Sequence, residues 1–155
     1  MPDRAFFDTN ILIYAFAAGD PRQGVALKLM PNGGAIGVQT LNEFVNVATG
    51  KLKIPWTELV ARLGIIERLC DPAVPATLSV HRRGLEISQT LSYHLYDSLM
   101  LAAALEASCT VFYSEDLQEI RGAAEDSESV CHGEIGHATG LTGVVRKNGR
   151  QRSRP

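Results

Sequence analysis

Short, wholly apolar runs alternate along the chain with longer stretches in which apolar residues recur every three or four positions. Ala5-Phe6-Phe7 is the first run and reads as a buried strand ending at Asp8. Asn10 to Phe16 follows as a short helix. Asp20-Pro21 predicts the next helix start, a capping carboxylate followed by proline at the first helical position. That helix is expected to run to about Pro31, where Asn32-Gly33-Gly34 stops it, and Ala35-Ile36-Gly37-Val38 is expected as a second strand. Thr40 is placed to cap a helix whose apolar positions are Leu41, Phe44, Val45 and Ala48, ended by Gly50. Pro55 to Cys70 is amphipathic and closes at Asp71-Pro72. Ala76 to Ser79 is expected as a third strand and His81 to Leu91 as a helix. Tyr96 to Ser108 is apolar nearly all round, which predicts a fully buried helix. Thr110-Val111-Phe112-Tyr113 is the fourth strand, leading into Ser114-Glu115-Asp116.

Apolar strands alternating with helices predict a parallel sheet covered on both faces, a three-layer α/β/α domain with a short central parallel sheet. The chain's 155 residues suit one such domain. The pattern dissolves after about residue 120. Residues 121–155 are glycine-rich, lose apolar periodicity and read as a poorly ordered extension rather than a second domain.

Apolar residues are 45% and charged residues 21% of the chain, as in an ordinary globular protein. The net charge of −2 gives no reason by itself to expect a nucleic-acid partner. It is unevenly spread, however. Arg146, Lys147, Arg150, Arg152 and Arg154 are the positives after residue 143, and without them residues 1–143 carry about −7. An acidic body handling a polyanion needs cations between the two. Cys70, Cys109 and Cys131 are odd in number and widely spaced, which fits a reducing compartment rather than a disulfide framework. With no signal-like leader after Met1 and no apolar run long enough to span a bilayer, a cytoplasmic protein without membrane association is expected.

Four acids stand at corresponding places in this pattern. Asp8 ends the first strand, Glu43 lies in the first turn of the helix after the second, Asp97 opens the most apolar helix, and Asp116 follows the fourth strand. Ligands of open α/β sheets bind outside the carboxyl ends of the strands. Carboxylates gathered there repel, each close pair costing on the order of 4 kcal/mol at ~4 Å and an effective dielectric of 20, so the cluster must hold protons or bind cations. Hard oxygen donors suit Mg2+ or Mn2+, one or two ions, which can activate water and clamp a phosphodiester.

The words around these acids are more specific than their spacing. Phe7-Asp8-Thr9-Asn10-Ile11-Leu12-Ile13-Tyr14, Val38-Gln39-Thr40-Leu41-Asn42-Glu43-Phe44, Leu95-Tyr96-Asp97-Ser98-Leu99-Met100-Leu101-Ala102-Ala103-Ala104 and Thr110-Val111-Phe112-Tyr113-Ser114-Glu115-Asp116-Leu117 occur in that order. In them the chain resembles the PIN-domain ribonucleases, and among these the VapC-type toxins of type II toxin–antitoxin pairs. The resemblance implies a PIN-like nuclease domain over residues 1–120 and a metal-dependent endoribonuclease. Asp8, Glu43, Asp97 and Asp116 would be its catalytic, metal-binding acids, with Thr9 and Asn10 bracing Asp8 and Ser114 orienting the site. Metal-bound water would attack phosphorus and leave a 5′-phosphate. It also implies a homodimer and a protein antitoxin as partner. The chain departs from the family beyond about Glu119, where a last apolar strand is expected; that stretch reads as an altered or out-of-frame extension.

Other readings compete. A cap or turn role is the plain alternative for Asp8 and Asp97, solvated helix surface for Glu43, and Glu115 is a carboxylate adjacent to Asp116. Cys131-His132 with His137 does not make a zinc motif, because the histidines are five residues apart and off one helical face. His81 and His94 read as surface or packing residues, and Lys51, Lys53, Arg82 and Arg83 as solvated charges. Two rival functions stand beside the nuclease. One is a degenerate PIN domain that binds antitoxin or RNA without cutting. The other is an aspartyl-phosphate phosphatase using Asp8 as nucleophile, against which Asn10 counts, since it cannot donate a proton as a carboxylic acid would.

Overall fold

The computed structural model describes residues 4–114. Element order is β1 (Ala5–Phe7), α1 (Thr9–Ala15), α2 (Gln23–Leu29) with a 3-10 turn over Met30–Asn32, α3 (Val38–Gly50), α4 (Trp56–Leu69), α5 (Leu78–Leu91), α6 (Leu95–Glu106) and β2 (Val111–Tyr113). The expected extension at 121–155, with Cys131, His132 and His137, lies outside the described residues.

β1 and β2 pair in parallel, Phe6 opposite Phe112 and Phe7 opposite Tyr113. Each pair stacks its rings, at centroid distances of 5.2 Å and 6.0 Å. Side chains alternate across a strand, so Phe6 and Phe7 point to opposite faces. Phe7 enters a core built from α1, α2, α3 and α4, with Ile11, Leu12, Phe44, Leu59 and Ile66. Phe6 enters a second core with Ile87, Met100, Ala103 and Phe112, from α5, α6 and β2. Both rings are fully buried, which is why β1 carries no polar position before Asp8. The three layers expected from the pattern are present.

The second and third strands do not form as expected. Residue 35 touches β1 through one parallel bridge, and Gly37 touches Val74 through another. The Ala35 N–H donates to the Ala5 carbonyl (2.8 Å), and the Val74 N–H donates to the Ile36 carbonyl (2.8 Å). Laterally, the order is therefore the 74 segment, the 35–37 segment, β1 and β2. Val38 and Leu78, counted as strand residues by their apolarity, are instead the first residues of α3 and α5. The helices take them early because Gly37 and Thr77 occupy the N-cap positions. The Gly37 N–H donates to Thr40 Oγ1 (3.2 Å), so Thr40 closes the first turn from inside rather than capping it. Thr77 Oγ1 accepts from the Val80 N–H (3.2 Å). Asp20 does bond the Arg22 N–H (2.9 Å), but this makes a turn, and α2 starts only at Gln23.

α5 and α6 cross closely at Gly84, where a Cβ would stand 2.6 Å from Leu99 Cδ2 and 3.2 Å from Leu99 Cα. α6 ends where β2 is about to begin, so its N-terminal turn lies at the carboxyl edge of the sheet. Ala102, Ala103 and Ala104 are buried, but Tyr96 in that first turn is 60% exposed. The expectation of a fully buried helix thus holds for its middle and fails at its start, beside the sheet edge. No described helix is long and apolar enough to cross a membrane.

Candidate active site

The chain leaves β1 toward the 35–37 segment on one side, while β2 pairs on the other. The switch point of the sheet is the gap between β1 and β2 at their carboxyl ends, the place where open α/β sheets hold ligands. Asp8 ends β1 there and Ser114 ends β2. The Asp8 N–H donates to the Tyr113 carbonyl (3.0 Å), which fixes the two ends together.

Asp8 is also the N-cap of α1, and its Oδ1 accepts from the Thr9 N–H at 2.6 Å. Ser114 Oγ donates to Asp8 Oδ2. The cap role and a functional role are thus not exclusive, since one carboxylate oxygen serves each neighbour. Asp8 is 6% exposed. Burial pushes its carboxyl up to about 7, against the hydrogen bonds from Ser114 and the Thr9 amide. The charges of Asp97 and Glu43 push in the same direction.

Glu43 reaches this end of the sheet from α3. Its helix starts at Val38, so Glu43 lies in the second turn and not, as expected, in the first. Both of its oxygens are held: Thr9 Oγ1 donates to Oε2 (3.3 Å) and Gln39 Nε2 to Oε1 (3.1 Å). Thr9 Oγ1 also lies 3.4 Å from the Thr40 carbonyl and 3.8 Å from Met100 Sδ. It therefore ties α1, α3 and α6 together beside Asp8. Asn10 follows Thr9 in the first turn of α1 and is half-buried.

Asp97 is not the cap of α6. His94 holds that position, its carbonyl accepting from the Ser98 N–H and Oγ (both 3.0 Å), and Asp97 is the third helical residue. A carboxylate in the first turn faces the positive end of the helix dipole. Asp8, Glu43 and Asp97 thus come from three elements to one edge, near enough for Asp8 to feel both of the others. Among the described residues, no three of histidine, cysteine, aspartate and glutamate close into a ligand cluster. Asp116 and Glu115 lie outside the described residues.

The donor chemistry fits a hard divalent cation. The acids offer only oxygen ligands, and burial already makes a lone negative charge on Asp8 unfavourable, so a proton or a cation must compensate it. The sequence reading does not single out Gln39, and it gives Thr40 only a capping role. The spacing of Gln39 and Glu43, four apart on one helix, is a legible signal for the first. Thr40 was read as a cap because its role depends on where α3 starts.

No curated protein sequence is significantly similar to this chain. Solved structures are. A toxin–antitoxin complex from Klebsiella pneumoniae has a chain 24% identical, with a TM-score of 0.59 over 76% of this chain and 91% of that one. VapC20 of Mycobacterium tuberculosis, a toxin that cleaves the sarcin–ricin loop, is 18% identical, with a TM-score of 0.62 over 77% and 94%. VapBC2 from Rickettsia felis, bound to a DNA fragment from its promoter, gives 17% identity and 0.57 over 76% and 91%. At these identities the likeness speaks for the fold. The sequence pattern of the PIN domain itself matches residues 5–124, spanning both strands and every carboxylate considered above, and the chain belongs to the PIN-domain family.

Proposed function

We propose that this chain is a metal-dependent endoribonuclease, the toxin of a toxin–antitoxin pair, whose Asp8, Glu43, Asp97 and Asp116 hold Mg2+ or Mn2+. The observation that carries the reading is the buried Asp8 carboxyl at the sheet's switch point, raised to about 7 chiefly by burial, with the charges of Asp97 and Glu43 adding to the rise. A buried carboxylate whose negative charge is unfavourable is stabilised by a proton or by a bound cation.

Held by those acids, divalent ions would lower the pKa of a bound water and set positive charge beside the phosphodiester. The chain's own groups set the frame. Ser114 and the Thr9 amide fix both oxygens of Asp8, so its rotamer is set before any ligand arrives. Thr9 and Gln39 do the same for Glu43. The VapC20 toxin cleaves an RNA loop and the Klebsiella structure is a toxin–antitoxin complex. The same reading for this chain carries RNA as substrate, a protein antitoxin as partner and a homodimer as its working form.

Purified protein incubated with labelled RNA and Mn2+, beside its Asp97→Asn variant, tests the assignment. Cleavage by the native chain alone is expected. Equal cleavage by both proteins, or by neither, would defeat it.

A further inference from the structure

The carboxyl edge of the sheet carries a second feature, away from the four acids. A cavity of about 370 Å³ opens where the 35–37 and 74 segments end. Its walls come from the first turn of α3 (Val38, Gln39), the Val74–Leu78 stretch that leads into α5, His81 on α5, and Leu99 on α6. Adjacent strands lie about 4.8 Å apart. The cavity therefore stands beside segments that lie one to two strand positions from β1.

Three observations say what would occupy it. The cavity adjoins the candidate active site through Gln39, which is a wall of it and also donates to Glu43. Its lining is mainly aliphatic, yet three elements each add a group suited to a heterocycle: the Gln39 amide, the Thr77 hydroxyl and the His81 imidazole. Among the described residues no carboxylate, lysine or arginine lines it, so it suits a neutral, flat, partly polar group and neither a phosphate nor an ion. Single-stranded RNA offers such a group at every residue. Protein sites that read it stack splayed bases on aromatic or histidine side chains and hydrogen-bond their edges.

Resting on the ribonuclease reading above, we infer that this cavity is a nucleobase subsite: it takes one unstacked base of the RNA strand whose phosphodiester lies at the carboxylates. The base stacks on His81 and packs on Val74 and Leu99, with its edge toward Gln39 and Thr77. The subsite then does what the acidic cluster cannot, since a metal-held phosphate is the same for every sequence and a base is not. It also gives the acidic body a hold on RNA that needs no positive charge.

The test uses the full chain carrying Asp97→Asn, in EDTA, so that neither cleavage nor metal enters. Adenosine and uridine, both uncharged, are titrated while backbone amide shifts are followed by NMR. Saturable shifts are expected at Gln39, Thr77 and His81, with at least one nucleoside. A second variant adds Ala76→Phe, which places a ring at the exposed rim of the cavity. It is expected to abolish those shifts, leave the rest of the amide spectrum in place, and weaken binding of a single-stranded RNA oligomer about tenfold, as loss of one stacked base does. Absence of nucleoside shifts in the cavity, or RNA binding by the Ala76→Phe protein equal to its parent, would overturn the subsite. The two proposals fail separately: a native chain that cuts no RNA while its cavity still binds nucleosides sinks the nuclease, and RNA cleavage without nucleoside shifts sinks the pocket.

Discussion

Replacing Asp8 by asparagine is expected to stabilise the metal-free protein at neutral and alkaline pH. The substitution keeps the shape of the side chain. The amide oxygen can still accept from the Thr9 N–H, and the amide nitrogen can donate to Ser114 Oγ in place of the bond Asp8 accepts now. Only the buried charge is lost. The Asp8 carboxyl is raised from 3.8 to about 7, chiefly by burial. Between those values the folded chain holds a proton that the unfolded chain has released, so stability falls as pH rises through that window. Each unit is worth about 1.36 kcal/mol, and the whole shift is on the order of 4 kcal/mol, fully lost above about pH 7. Urea unfolding of the native chain and of Asp8→Asn in EDTA, from pH 4 to pH 8, reads this directly. The two stabilities are expected to agree near pH 4 and to separate by up to about 4 kcal/mol at pH 8. Adding Mn2+ at pH 8 is expected to stabilise the native chain and to leave the variant nearly unmoved. Parallel curves in EDTA would refute the argument, because they would mean that Asp8 does not carry a buried, uncompensated charge.

Further expectations follow from the same geometry. Thr9→Val removes the hydroxyl that holds Glu43 and is expected to reduce RNA cleavage roughly 10–100-fold with little change in thermal midpoint; unaltered turnover would show that Glu43 needs no such support. Phe6→Ala empties a fully buried site between β2 and α6 and is expected to cost about 3–5 kcal/mol in urea unfolding. Gly84→Ala drives a methyl into Leu99 and is expected to destabilise by about 1–3 kcal/mol, despite the better helix propensity of alanine. The added Leu99→Ala is expected to recover part of that loss, and strictly additive losses would place the clash elsewhere.

The sequence by itself determined β1, β2 and most of the helices, and it pointed to the acids of the candidate site. Ala5-Phe6-Phe7 is apolar because both faces of β1 are covered, and that signal is local. The helices announce themselves by spacing that a turn of 3.6 residues imposes. Asp8 and Ser114 stand directly after strands, and strand ends are visible as the points where apolar runs stop. Local pattern loses its hold where neighbouring elements compete for the same residues. Val38 and Leu78 are as apolar as any strand residue, and only the caps at Gly37 and Thr77 assign them to helices.

Tertiary structure alone decided how the sheet edge is furnished. No spacing rule says that Thr9 reaches Glu43 across 34 residues, or that Ser114 bonds Asp8 across 106. Those contacts exist because parallel strands bring distant chain segments to a common edge. The proton affinity of Asp8 is likewise a property of what surrounds it, since burial outweighs two hydrogen bonds that would hold it ionised. The cavity beside it belongs to no single word of the sequence. Its walls come from α3, the Val74–Leu78 stretch, α5 and α6, and they enclose a space only once those four pack together.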